Sequence, residues 1–261
     1  MGASCQPVRG NGALLAALLA GLLVFVLGSQ TSAVTAYLEP GYQRRPQVID
    51  PCLGAVLSAL LAAQVPASTA PGASVVLVPL PGGAVDQITS VDDGVRFDHD
   101  ADGTSERTAW TAAGARVAFL AIDRNGNGTI DDGTELLGRH TVAGARYGID
   151  ALDKLNQKMG GGEEVAIIDE SQPVFSRLLL WEDANHNGTS EPHELQQAAS
   201  LLSGIGLGLV PQNRKDAFGN RFALRGFAHV RTAPGVNAPQ SAAEDRERTI
   251  QLADVVLVTG K

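Results

Sequence analysis

The spacing of hydrophobic and polar positions changes character several times along the 261 residues. Leu53, Val56, Leu57, Leu60 and Leu61 recur at helical spacing and predict a short amphipathic helix over 52–64, ended by Pro66 and the small, polar stretch that runs to Gly72. Residues 74–80 form an apolar, β-branched run stopped by Pro81-Gly82-Gly83, as a strand would be. From Gly94 onward, short β-type runs at 95–97, 107–110, 117–122 and 178–181 alternate with loops rich in Asp, Asn and Gly. Short helices are expected at 148–157 and 192–202, where acids near the start suit the positive end of the helix dipole. The runs 221–231 and 249–258 read as a closing antiparallel ribbon. Together these patterns predict an α+β fold of short antiparallel strands and short helices joined by polar loops.

The first residues change the picture of where such a domain works. Arg9 precedes an apolar run over 13–28, followed by small residues that include Val34-Thr35-Ala36. That order predicts a secretory signal over 1–36, cut after Ala36. The alternative is an uncleaved anchor, although about 16 apolar residues fall short of the ~20 that span a bilayer comfortably. The domain plan is then a signal (1–36), a linker with a short amphipathic helix (37–72) and an α+β domain (73–261). The mature chain is expected to be secreted or periplasmic, with no stable membrane span once the signal is cleaved.

Of the two cysteines, Cys5 lies in the signal, so Cys52 has no partner for an internal disulfide and no His or Asn pattern that would suit a nucleophile. The net charge of −8 becomes −9 when the signal, which carries Arg9 and no acid, is removed. Nucleic acid is excluded as a partner, because phosphate binding needs clustered Lys and Arg. Aromatic residues make up only 5% while glycines number 30, so the fold needs turns and a fastening besides aromatic packing.

The acids between Asp98 and Glu135 are periodic, and periodicity is what coordination requires. Three segments share one order: Asp98, Asp100, Asp102, Gly103, Thr104; Asp123, Asn125, Asn127, Gly128, Thr129; and Asp183, Asn185, Asn187, Gly188, Thr189. Ca²⁺ takes six to eight oxygens at ~2.4 Å, and side chains at positions 1, 3 and 5 of a tight turn converge on one point. Glycine at position 6 allows the bend, and the main-chain carbonyl of the Thr at position 7 adds an oxygen. The third loop completes the EF-hand pattern with Glu191 at position 9 and Glu194 at position 12. The second has Asp131 at position 9 but Thr134 at position 12, with Glu135 one place late. The first has Glu106 at position 9, Ala109 at position 12 and strand-like flanks. Ordinary Asx turns are the bland explanation of any one loop, but three copies in the same order favour calcium. Mg²⁺ suits them less, since it demands a tighter octahedron and keeps its waters.

Beyond the loops themselves, the runs Val95-Arg96-Phe97 through Trp110, Leu120-Ala121-Ile122 through Gly138, Phe175-Ser176-Arg177-Leu178, Leu180-Trp181-Glu182 and Asp216 through Phe222 resemble, in that order, the calcium-binding module of bacterial RTX-type exported proteins and small secreted EF-hand-like proteins. The resemblance covers about 94–225 and implies a calcium-binding, exported domain. It also implies two further loops whose ligands this chain lacks, at Leu80 to Asp86 and at Gly160 to Glu164.

No G-x-S-x-G elbow, H-E-x-x-H helix or P-loop is present, so no enzyme is expected. His99, His186 and His193 sit at non-ligand or late positions of the loops, which argues against zinc. Two alternatives stay open. Some RTX-type proteins cleave themselves at an Asp-Pro bond when calcium binds, and Asp50-Pro51 lies upstream of the loops. Alternatively, calcium rigidifies an adhesive surface. A Met-rich sensor groove is not expected, with Met159 the only internal methionine.

Overall fold

The structure, a computed structural model, describes residues 73–161, 165–231 and 249–260. The signal, the linker with its helix, Asp50-Pro51 and Glu163-Glu164 lie outside the described residues. No described helix is long and apolar enough to cross a membrane.

β1 (Ala73–Pro79) is buried on both faces, which explains why its sequence is a continuous apolar run and not an alternation. It pairs antiparallel with β4 (Val117–Ala121) on one side and with β11 (Thr249–Leu257) on the other. β11 pairs along its length with β10 (Arg221–Val230), as the alternating ribbon predicts. β10 is long enough to take two partners on its other edge: β9 (Val210–Lys215) beside its first half and β8 (Leu202–Gly206) beside its last residues. β5 (Ile167–Asp169) completes that side, and β6 (Leu179–Trp181) and β7 (Leu195–Gln197) extend the other beyond β4. A separate hairpin is made by β2 (Val95–Phe97) and β3 (Glu106–Thr108).

One curled antiparallel sheet in the order β5-β8-β10-β11-β1-β4-β6-β7 therefore dominates the described residues, with two helices, α1 (Gly148–Lys158) and α2 (Ala198–Leu201). This overturns the α+β expectation with its short helices around the loops: the fold is mostly β. The clearest departure is at 192–202, where a helix was expected to leave the third loop. There the Glu182 N–H bonds the Glu194 carbonyl at 3.0 Å and Leu195 pairs with Trp181, so the chain leaves the loop already in strand register. Only Ala198–Leu201 turns helical, because sheet pairing outweighs the local helical pattern.

Each face of the sheet has its own core. Val76, Val78, Leu120 and Leu180 pack with Ile149 and Leu152 of α1, while Val75, Leu77, Phe119 and Trp181 pack with Phe97 and Trp110 from the region of the small hairpin. Gly148 starts α1 so close to β1 that a Cβ there would lie 2.3 Å from Val76 Cγ2. The N-terminus of α1 is held by a residue from β11: Asp254 Oδ2 accepts the Gly148 N–H at 2.6 Å, and Ser74 Oγ donates to Oδ1 at 2.9 Å. Asp254 is buried, and burial pushes its carboxyl up to about 7 against the pull of Ser74, the Gly148 and Ile149 amides and Arg221.

A raised carboxyl makes the folded state hold its proton longer than the unfolded one, so its contribution to stability falls as pH climbs from about 4 to 7. Between pH 5 and 8 the unfolding free energy of Asp254→Asn should therefore gain on that of the natural chain by on the order of 1–3 kcal/mol, measured by urea denaturation at each pH. A difference that stays constant with pH contradicts this assignment.

Candidate metal centre

The second and third loops are copies in space as well as in sequence. β4 and β6 pair antiparallel with Leu120 opposite Leu180, residues that each stand three places before the first Asp of a loop. The pairs Phe119↔Trp181 and Ala121↔Leu179 flank that point symmetrically, so a local two-fold axis relates the two segments. The same axis brings the eighth loop positions together: Ser190 Oγ accepts the Ile130 N–H at 2.6 Å and lies 3.4 Å from the Ile130 carbonyl. Both residues are buried.

In the second loop, Asp123 accepts the N–H groups of Gly126 (2.6 Å) and Gly128 (2.9 Å), which winds the turn around its carboxylate. Asn125 and Asn127 carbonyl oxygens accept from the main chain two residues on. Asp131 receives the amides of Asn125 and Asn127 and the Thr129 hydroxyl. Burial pushes its carboxyl upward, yet those side-chain hydrogen bonds hold it below the usual carboxylate range. The closing position, uncertain from sequence, falls on Glu135: its buried carboxylate accepts the amides of Arg124, Asn125 and Asp131, whereas Thr134 turns aside to bond Asp132. The Ile122 N–H then closes the loop on the Glu135 carbonyl at 2.8 Å.

The third loop repeats this skeleton. Asp183 accepts the amides of Asn187 (3.1 Å) and Gly188 (2.8 Å), and Asn187 accepts from Thr189 at 2.7 Å. Glu191 receives the side-chain amides of Asn185 and Asn187, and the Asn187 bond leads in holding its carboxyl low. Glu194 accepts the amides of Ala184 (3.0 Å) and Glu191 (3.4 Å), as Glu135 does in the second loop. His186, at positive φ, is turned out of the loop, with Nδ1 2.7 Å from the Thr111 carbonyl and Nε2 2.8 Å from that of Asp93.

The first loop is the tip of the β2–β3 hairpin. Asp98 accepts the amides of Asp102 and Gly103, and Asp102 accepts that of Thr104. Asp98, Asp100 and Glu106 each offer an oxygen, and these lie within 4.8 Å of one another. His99 points the other way, buried against Phe97 and Trp110 with Nε2 3.1 Å from Thr108 Oγ1. Burial, with help from His140 and Arg139, pushes its pKa down to about 3. The loop docks on the end of the second one, where the Gly133 N–H bonds the Asp98 carbonyl at 2.7 Å. A Cβ on Gly133 would lie 1.9 Å from the His99 oxygen, so only glycine fits there.

The donor chemistry fits a hard cation. Carboxylates line the three turns, joined by Asn side-chain oxygens in the second and third, while His99 and His186 are committed elsewhere. Asp98, Asp100 and Glu106 would hold the ion in the first loop, Asp123, Asn125, Asn127, Asp131 and Glu135 in the second, and Asp183, Asn185, Asn187, Glu191 and Glu194 in the third. Asp102 turns its carboxylate to the Thr104 amide. Residues 80–86 make a plain turn closed by the Gly83 N–H on the Leu80 carbonyl. Asp216 likewise caps its own β9–β10 turn through Phe218 and Asn220.

Sequence reasoning missed Ser190 and the two tryptophans, whose indole N–H groups bond Asp183 (2.8 Å) and Glu194 (3.2 Å). The Trp110 bond joins positions 73 residues apart, a distance at which no spacing argument operates.

A family model described as the SPM domain matches residues 78–236, well over half of the chain. The iron-regulated protein FrpA of Neisseria meningitidis serogroup C is 33% identical over 138 residues, 51% of this chain and 12% of FrpA's length. The chain thus spans about an eighth of that relative.

Replacing Ser190 by Ala strands the buried Ile130 N–H. We expect a loss of about 1–3 kcal/mol in urea denaturation; a loss below about 0.3 kcal/mol contradicts the joint between the loops.

Proposed function

From the premise that this chain belongs to the SPM domain family, whose match contains all three loops, we propose that it is a calcium-binding module of an exported protein, in which the ions fasten the Asp/Asn-Gly loops to the sheet. The observation that carries this reading is the skeleton shared by the second and third loops. In both, the first Asp accepts the amide of the position-6 glycine, and a buried Glu closes the turn by accepting amides from its two ends. A plain Asx turn, in which the side chain bonds the main chain two residues on, needs neither feature. The resemblance to RTX-type modules and the signal-like first 36 residues agree with the same reading. In a millimolar-calcium exterior, sites of about 10⁻⁴ to 10⁻³ M affinity stay filled, so the ion acts as a structural fastener and not as a signal.

A second reading concerns Asp50-Pro51, the sole Asp-Pro pair of the chain, which precedes the matched region. There the Asp50 carboxylate would attack its own main-chain carbonyl carbon, closing an anhydride while the proline nitrogen takes a proton and leaves. Calcium binding by the loops would be its trigger.

One set of samples separates these outcomes. Calcium added to the chelator-treated full chain should raise Tm by roughly 5–10 °C for each site filled at a hundredfold excess over its Kd. Asp183→Ala should remove part of that gain, with an intact band on gels. An unmoved Tm at millimolar calcium sinks the proposal, and a new band ending at Asp50 promotes the second reading over the first.

A further inference from the structure

The two homologous loops differ in one respect that their shared skeleton makes plain. Among the described residues, the side-chain carboxylate bonds of the second loop come from within it: Gly126 and Gly128 serve Asp123; Asn125, Asn127 and Thr129 serve Asp131; Arg124, Asn125 and Asp131 serve Glu135. The third loop keeps the position-6 amide on its first Asp, the two Asn amides on Glu191 and the amides of Ala184 and Glu191 on Glu194, and adds two bonds from outside. Trp110 Nε1 donates to Asp183 Oδ2 at 2.8 Å, and Trp181 Nε1 donates to Glu194 Oε2 at 3.2 Å. These are the only tryptophans of the chain, and they serve the first and the closing carboxylate of one loop.

Both indoles are fully buried and locked in one aromatic cluster. Their ring centroids are 5.6 Å apart, Phe119 lies 4.4 Å from Trp110, and Phe97 lies 5.3 and 5.7 Å from Trp110 and Trp181. Such donors cannot turn away, so they set carboxylate orientation before any ion arrives. The oxygen that each grips is one that also accepts a loop amide: Oδ2 of Asp183 takes Gly188 N–H, and Oε2 of Glu194 takes Glu191 N–H. Asp183 Oδ1 meets only the longer Asn187 amide, at 3.1 Å, and is the better placed to face a cation. Outer hydrogen bonds of this kind typically raise metal affinity 10–100-fold by fixing the ligand.

We propose that Trp110 and Trp181 are positioning residues of the third loop, making it the tightest and first-filled of the three calcium sites. The proposal rests on the calcium reading above and adds a ranking of sites to it. Trp110→Phe keeps a buried ring and deletes only the donor. Calcium titration calorimetry on the chelator-treated full chain should show the tightest site weakened about 10-fold in Trp110→Phe, and again in Trp181→Phe, with the weaker sites unchanged. Tryptophan emission of the natural chain should change with the first equivalent of calcium, and Asp123→Asn in the second loop should leave that early change in place.

Equal weakening of every site by Trp110→Phe, as a general packing defect would produce, overturns the proposal. So does emission that changes only with the later equivalents, a test that needs no tryptophan variant to fold. If the natural chain binds no calcium, the underlying reading fails and takes the ranking with it; binding without ranking defeats the ranking alone.

Discussion

The antiparallel pairing of Leu120 with Leu180 is the constraint on which the rest depends. Because each stands three residues before a loop, their register places the two loops about a common axis and brings Ile130 against Ser190. A slip of one residue would carry Phe119 and Trp181 to the opposite face, emptying one core and overfilling the other. The sheet therefore fixes where the acids stand. The β2–β3 hairpin joins this arrangement through the Gly133 N–H on the Asp98 carbonyl, and the His186 ring of the third loop lies against the carbonyls of Asp93 and Thr111, just outside the hairpin.

That arrangement concentrates negative charge. Asp183, Glu135 and Glu194 are buried, and Asp123, Asp131 and Glu191 stand beside them. Amide donors satisfy the hydrogen-bonding capacity of these carboxylates but cancel none of their mutual repulsion. A divalent cation would do both at once, which is the physical reason for the calcium reading proposed above. Elsewhere the molecule meets the same problem differently: Asp254, alone in the core, caps α1 and has its carboxyl pushed up towards the neutral form.

Local patterns carried much of this into the sequence. The run at β1, the β10–β11 ribbon and α1 lie within a residue or two of where periodicity puts them, because each is long or strongly apolar. The three loops were legible because the D-x-[DN]-x-[DN]-G order repeats. Some short elements escaped: β5 exists by pairing with β8 far along the chain, β7 pairs with β6 across the third loop, and β9 carries polar side chains on an edge. The helix expected after the third loop failed for the same reason, since Leu195 is claimed by Trp181. Glu135 as the closing residue, Ser190 as the joint and the indoles as outer donors are all consequences of packing that no spacing encodes.

The most direct test of the central claim counts ions. Equilibrium dialysis of the chelator-treated chain against millimolar calcium, followed by elemental analysis, should find calcium bound in stoichiometric amounts. Asn127→Ala combined with Asp123→Ala should release one equivalent while the third loop keeps its own. Calcium no more abundant with the protein than in the surrounding buffer would contradict the account and return the three loops to ordinary turns.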